Sequence, residues 1–152
     1  MNRRRAGGFT LIELLLVVAL IGMASGLATF ALRNPAGVQL ENEAGRLAAL
    51  LESARAQSRS TGIPVRWVPR PAAPATDGFR FEGLTPGNAL PDHWLNPGVS
   101  AEIIGLPALA LGPEPLIGAQ RIVLRLDDQR LVLSTDGLGP FVVADGDAQA
   151  TP

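Results

Sequence analysis

The chain has 152 residues, 47% of them hydrophobic and 18% charged, and its 13 basic residues, all arginine, stand against 14 acids for a formal net charge of -1. That balance suits one globular domain with a real core and lies far from the composition of a disordered chain. The absence of Cys removes disulfides, thiolate zinc centres, iron–sulfur clusters and cysteine nucleophiles together, and a single His, His93, leaves no multi-histidine metal site.

The averages hide an uneven chain. Arg3, Arg4 and Arg5 open it with no acid among them, and from Phe9 to Leu32 the only charged residue is Glu13. As a helix this run would be about 36 Å long, enough to cross a hydrocarbon core of about 30 Å with some tilt. Arginines before it and no comparable basic cluster after it keep the N-terminus cytoplasmic and place the remainder outside. A cleaved secretory signal fits less well, because the apolar stretch is long and no good small-x-small site closes it. Neither a signal nor a plain anchor accounts for Glu13, since an acid at a bilayer centre costs about 2.5 to 3.5 kcal/mol and is by default functional.

The string Gly7-Gly8-Phe9-Thr10-Leu11-Ile12-Glu13-Leu14 resembles the class III leader and N-terminal helix of type IV pilins and pseudopilins. The resemblance implies that a prepilin peptidase cuts on the cytoplasmic side after Gly8 and methylates the new N-terminus, Phe9. It also implies that Glu13 pairs with the N-terminal ammonium of a neighbouring subunit as helices slide into a bundle. The physics is compatible: Gly8 gives a protease close access to the backbone, and a charge pair formed only on assembly offsets the desolvation of both groups. Removing the leader's three Arg leaves 10 Arg against 14 acids, so the near-neutral total averages a basic leader with an acidic remainder.

Asn34-Pro35 predicts a kink or brief break, because Pro disfavours helical geometry in the residue before it. Leu40, Ala44, Leu47, Leu51, Ala54 and Ser58 then alternate in steps of four and three, the pattern of one buried helix face. Glu43 with Arg46, and Glu52 with Arg55, are i,i+3 pairs placed mostly off that face, worth about 0.2 to 0.5 kcal/mol each. Gly62 followed by Pro64 is a stop signal, so one long, broken helix is predicted from Phe9 to about Thr61. Period-two alternation predicts strands over Ile63–Trp67 and Phe79–Glu82, separated by a Pro/Ala loop, and a further strand over Val99–Ile104. The prolines of Leu106–Gly118 restrict that stretch to an edge or a loop. Ile122 to Leu133, turning at Asp127-Asp128-Gln129, reads as the clearest hairpin, and Thr135-Asp136-Gly137 turns the chain into Phe141-Val142-Val143.

A helix followed by strands gives the fold class α+β, with a long N-terminal helix, transmembrane in its first half, packed on antiparallel sheet in the manner of a pilin. The expected organisation is a cleaved leader at 1–8, a transmembrane helix at 9–34, a periplasmic helix half at 35–62, a β-rich periplasmic domain at 63–145 and a flexible tail at 146–152. The Ser134-Thr135-Asp136-Gly137 and Pro140-Phe141-Val142-Val143 pattern resembles, more loosely, the H-type minor pseudopilins of type II secretion, the GspH/FimT family. That resemblance implies a non-enzymatic subunit near the tip of a periplasmic pseudopilus, held in the inner membrane, with the prepilin peptidase, the major pseudopilin and other minor pseudopilins as partners. The alternative within the class is a minor pilin of a type IV pilus, serving pilus assembly or DNA uptake.

Other chemistry finds little support. His93 beside Asp92 lacks a G-x-S-x-G elbow or any other triad context. Asp127-Asp128, and Asp145 with Asp147, lack the alternating oxygen ligands of a calcium loop, and no phosphate-cradling glycine motif is present. Arg121, Arg125 and Arg130 make a local basic patch, yet the acidic tail beyond it argues for solvated strand-face arginines and against nucleic acid as a partner. No cofactor is expected.

Overall fold

The computed structural model describes residues 10–31, 35–70 and 78–144, with side chains of the first helix described as far as Met23. The chain divides into two compact units, Met1–Asn34 and Pro35–Pro152. The first contains α1, Leu11–Ala31, 21 residues long. Every side chain described along it is exposed, from Leu11 at 80% to Met23 at 72%. The predicted break falls partly outside the described residues, at Asn34, and the tail from Asp145 onward lies wholly outside them.

In the second unit α2, Pro35–Thr61, begins on the proline itself, a residue whose fixed φ suits a first helical position and whose missing N–H costs nothing there. Its buried face carries the predicted stripe, Leu40, Ala44, Leu47, Leu51, Ala54 and Ser58, each no more than 1% exposed. The helix ends where the sequence places the stop: Gly62 takes φ +70°, and its N–H donates to the Ser58 carbonyl at 2.9 Å, a left-handed cap that glycine adopts at little cost.

Among the described residues seven strands follow, in two antiparallel sheets. The first sheet is built from β1 (Arg66–Pro69), β2 (Phe79–Glu82) and β4 (Leu109–Ala110), in the order β2-β1-β4. The second comprises β3 (Ser100–Ile103), β5 (Gln120–Leu126), β6 (Gln129–Thr135) and β7 (Val142–Ala144), in the order β3-β5-β6-β7. The β5–β6 hairpin closes on Asp127 and Asp128 with Leu126 opposite Gln129, and Asp127 adopts φ 50°, as a tight two-residue turn requires. The proline-rich stretch supplies only the two-residue edge strand β4. The first predicted strand is shorter than its pattern: β1 starts at Arg66, and ahead of it the Ile63 carbonyl is taken by Ser58 Oγ at 2.7 Å, while the Val65 carbonyl accepts from Leu111 N at 2.9 Å, a bond in register with the β1–β4 pairing.

The α2 stripe packs against β5, β6 and β7. It shares one core with Trp67 and Phe79 of the first sheet and with Ile122, Leu124 and Leu133 of the second. Phe79 is the aromatic hub, its ring centroid 4.7 Å from that of Trp94, 5.7 Å from Trp67 and 5.9 Å from Phe81. The fold is thus the α+β arrangement predicted, a long N-terminal helical segment with helix packed on antiparallel sheet. Truncating Leu51 to Ala should lower the unfolding free energy of the second unit by about 3 kcal/mol. Ala49→Ser, on the exposed side of the same helix, should change it by less than about 0.5 kcal/mol. Urea titration of the detergent-solubilised chain, followed by fluorescence of Trp67 and Trp94, measures both.

Candidate assembly surface and the charges that anchor its loops

Of the residues assigned to processing and assembly, Gly8 and Phe9 lie outside the described residues, and Glu13 stands in the first turn of α1. Its backbone N–H reaches the Thr10 carbonyl at 3.0 Å and Thr10 Oγ1 at 3.4 Å, and Leu14 N also donates to the Thr10 carbonyl, at 3.2 Å. Thr10 is therefore the N-cap, and Thr10-Leu11-Ile12-Glu13 has the spacing of a capping box. A carboxylate in the first turn also faces the positive end of the helix dipole. Glu13 thus has a local role in starting the helix, legible as T-x-x-E but overlooked beside the larger question of an acid in an apolar run.

Among the described residues no helix is both long and apolar enough to cross a membrane. The helical backbone of α1, at 21 residues, nevertheless rises about 31 Å. Its described side chains, Glu13 apart, form an apolar surface on every side, which calls for lipid or for other helices rather than for water.

The second unit holds an arrangement that the sequence does not announce. Glu43 and Arg55, whose i,i+3 pairs the spacing places mostly off the apolar stripe, are 1% and 3% exposed. Both predicted pairs form, Arg46 Nη1 to Glu43 Oε2 at 3.6 Å and Arg55 Nη1 to Glu52 Oε1 at 3.2 Å. Each pair also holds a loop. Glu43 Oε1 accepts from the backbone N–H of Leu95 at 2.6 Å and of Asn96 at 2.7 Å, and from Asn96 Nδ2 at 3.0 Å, while Arg46 donates to the His93 carbonyl at 2.9 Å. Arg55 donates to the carbonyls of Gly139 at 2.9 Å and Gly137 at 3.3 Å, and Glu52 accepts from Phe141 N at 3.3 Å. In each pair the acid takes backbone donors and the arginine takes backbone carbonyls. The cause of burial is packing: a loop lies over each carboxylate or guanidinium, and its backbone groups satisfy the charge.

The loop held by Arg55 is tightly built in itself. Thr135 Oγ1 accepts from Gly137 N at 2.9 Å and donates to the Gly139 carbonyl at 2.8 Å, and Asp136 Oδ1 accepts from Gly139 N at 2.8 Å and Leu138 N at 2.9 Å. Those N–H groups, that of Gly139 first, hold the Asp136 carboxyl below its ordinary value. Gly137 has φ +92°, and a Cβ there would lie 2.6 Å from the Gly118 carbonyl oxygen, so only glycine fits. At the tip Leu138 is left 73% exposed.

The remaining candidates stay apart. His93 Nδ1 is 3.5 Å from Asp92 Oδ1, both side chains are largely exposed, and no serine hydrogen-bonds to His93 among the described residues. No cluster of three metal-ligating side chains occurs among them either. Arg125 and Arg130 face each other across the hairpin, with Arg121 further along β5, but Arg125 Nη1 bonds Glu102 Oε2 at 2.9 Å and Asp127 and Asp128 occupy the adjoining turn. Arginines and acids are thus mixed there, which is not the footprint of a phosphate-binding face.

These features define a class of pilin-like architecture: an exposed apolar N-terminal helix, and a unit in which a second helix packs on antiparallel sheets. Residues 3–29 match the family described as the prokaryotic N-terminal methylation motif. The fold is similar to that of the type IV minor pilin FimU of Pseudomonas aeruginosa in two crystal forms. In one, the match has a TM-score of 0.53 at 17% identity, covering 70% of this chain and 88% of that one; in the other, the TM-score is 0.53 at 16% identity, covering 70% and 93%. No curated protein matches the chain.

Glu43→Ala should destabilise the second unit by about 3 kcal/mol, since it strips the acceptor from three donors of the 95–96 segment; Glu43→Gln, which keeps one acceptor oxygen, should cost less. For Asp136 the sign follows from a folded pKa lying below the unfolded one. Its contribution is complete above about pH 4 and is lost as pH falls through the folded value. The stability gap between the parent chain and Asp136→Asn should therefore close on acidification, which denaturant titrations at pH 7 and near pH 3 will test.

Proposed function

We propose that this chain is the precursor of a minor pseudopilin of a type II secretion system, of the H type, standing at or near the tip of a periplasmic pseudopilus. Prepilin peptidase cuts after Gly8 and methylates Phe9. Residues 9–34 span the inner membrane, and the helix half at 35–62 with the β-rich part at 63–145 lies in the periplasm. The major pseudopilin and other minor pseudopilins are its partners. Its work is insertion, processing and packing, with no catalytic step of its own.

One observation carries this reading: a helix apolar on all described sides, with one acid in its first turn, overlaps residues 3–29 that match the methylation motif and precedes a pilin-like fold. Glu13 serves twice in this account. In the single chain its carboxylate stands in the first turn, at the positive end of the helix dipole, and in the assembly it pairs with a neighbour's methylated N-terminal ammonium. The H-type assignment is supported by the Ser134–Gly137 and Pro140–Val143 pattern, whose residues form the loop that Arg55 and Glu52 hold.

A second reading is favoured by the fold likeness to a type IV minor pilin: the chain would then serve a pilus, in assembly or DNA uptake. Deleting the gene separates the two, since loss of exported folded proteins with intact pili supports the secretion role and the reverse supports the pilus role. Mass spectrometry of the native membrane protein should show a chain beginning at N-methylated Phe9; an intact Met1 terminus would overturn both readings. Glu13→Ala should leave membrane insertion and the folding of the second unit unchanged while lowering co-purification with other subunits at least tenfold, the loss of about 1.4 kcal/mol of coupling.

A further inference from the structure

One face of the β5–β6 hairpin is apolar and the other carries three arginines. Ile122, Leu124 and Leu133 enter the core, so alternation turns Arg121, Val123 and Arg125 of β5, and Arg130, Val132 and Ser134 of β6, outward. Arg125 and Arg130 stand directly opposite each other, a like-charge pairing that a sheet disfavours unless acids relieve it. Glu102 relieves Arg125 from β3, at 2.9 Å. Arg130 is exposed and forms no ion pair or side-chain hydrogen bond among the described residues.

The chain leaves the sheet beside that arginine. β7 pairs Val142 with Ser134, Val143 with Leu133 and Ala144 with Val132, so it runs toward the Arg130 end of β6 and leaves Gln129, Arg130 and Leu131 with no strand on that side among the described residues. Val132 is two residues from Arg130, about 7 Å along a strand. The next residues, 145–152, lie outside the described ones and carry two acids, Asp145 and Asp147, and no base. Connectivity thus delivers both acids to an arginine without a counter-ion, and Asp145-Gly146 is a turn dipeptide that can direct the second acid back over it. We propose that Asp145 and Asp147 are the internal counter-ions of Arg130, and that residues 145–147 in this way cover the basic face of the hairpin against polyanions. An exposed ion pair is weak by itself, and salt screens it. A tethered acid, however, acts at an effective concentration of about the millimolar range and competes with free anions on those terms. The proposal is independent of the choice between secretion and pilus.

The test uses the chain purified from native membranes in non-ionic detergent, at pH 7 and low salt, with heparin as the polyanion. Asp145→Asn with Asp147→Asn should tighten heparin binding at least about fivefold. Glu41→Gln with Glu114→Gln, which removes the same charge from exposed acids elsewhere, should change it less than about twofold. Adding Arg130→Gln to the first variant should return binding to the parent level. A second readout needs no polyanion: phenylglyoxal should modify Arg130 at least about threefold faster in the double Asn variant than in the parent, with the rate at exposed Arg66 unchanged. Equal heparin binding by the two charge-matched variants, or an unchanged rate at Arg130, overturns the proposal.

Discussion

The second unit depends on two charge pairs of one helix, each with one buried member, Glu43 and Arg55. The Glu43–Arg46 and Glu52–Arg55 pairs are nine residues apart, and at about 100° per residue they stand half a turn out of phase, so they flank the apolar stripe of α2 on its two sides. The stripe fixes which face of the helix meets the sheets. The pairs fix what lies along its two margins, the 93–96 segment on one side and the 137–141 loop on the other. Hydrophobic burial is non-directional and would tolerate sliding of loops over the core. A carboxylate bound to two successive backbone N–H groups, or a guanidinium bound to two carbonyls, has one geometry.

The two units meet different solvents by opposite means. In the second, apolar residues are covered and the buried charges are satisfied by backbone. In the first, apolar residues are displayed on every described side, and the single acid stands in the first turn of the helix that Thr10 caps. A surface of that kind is stable only where lipid or neighbouring helices replace water. The composition therefore describes two materials rather than one, an apolar helix and an acidic, mixed-charge α+β unit. The average net charge of -1 describes neither.

Much of this was legible because it rests on periodicity. The Leu40-to-Ser58 stripe, the Gly62 stop, the β5–β6 hairpin and the turn at Asp136-Gly137 are local patterns, and all appear where the sequence puts them. The start of β1 is not legible, because alternation at Ile63 says nothing of Ser58, whose hydroxyl claims the Ile63 carbonyl from the end of α2. The burial of Glu43 and Arg55 is not legible for a related reason. An i,i+3 Glu–Arg spacing looks the same whether or not a loop from 50 or 80 residues away covers it. The division into two sheets was likewise not legible, since β4 has two residues and its pairing with β1 is long-range.

The loop from Thr135 to Phe141 shows how a loose sequence resemblance acquires a physical meaning. Thr135 and Asp136 close it from within, Gly137 lets it pass the Gly118 backbone, and Arg55 and Glu52 bind it from the helix. Few side chains could be exchanged without breaking one of these contacts, so the pattern reflects a construction requirement of the fold. Leu138 is the exception. It is 73% exposed and shows no side-chain hydrogen bond or aromatic contact, so its identity is free to vary with whatever the loop tip meets. A pattern that builds the loop is for that reason a sign of the fold.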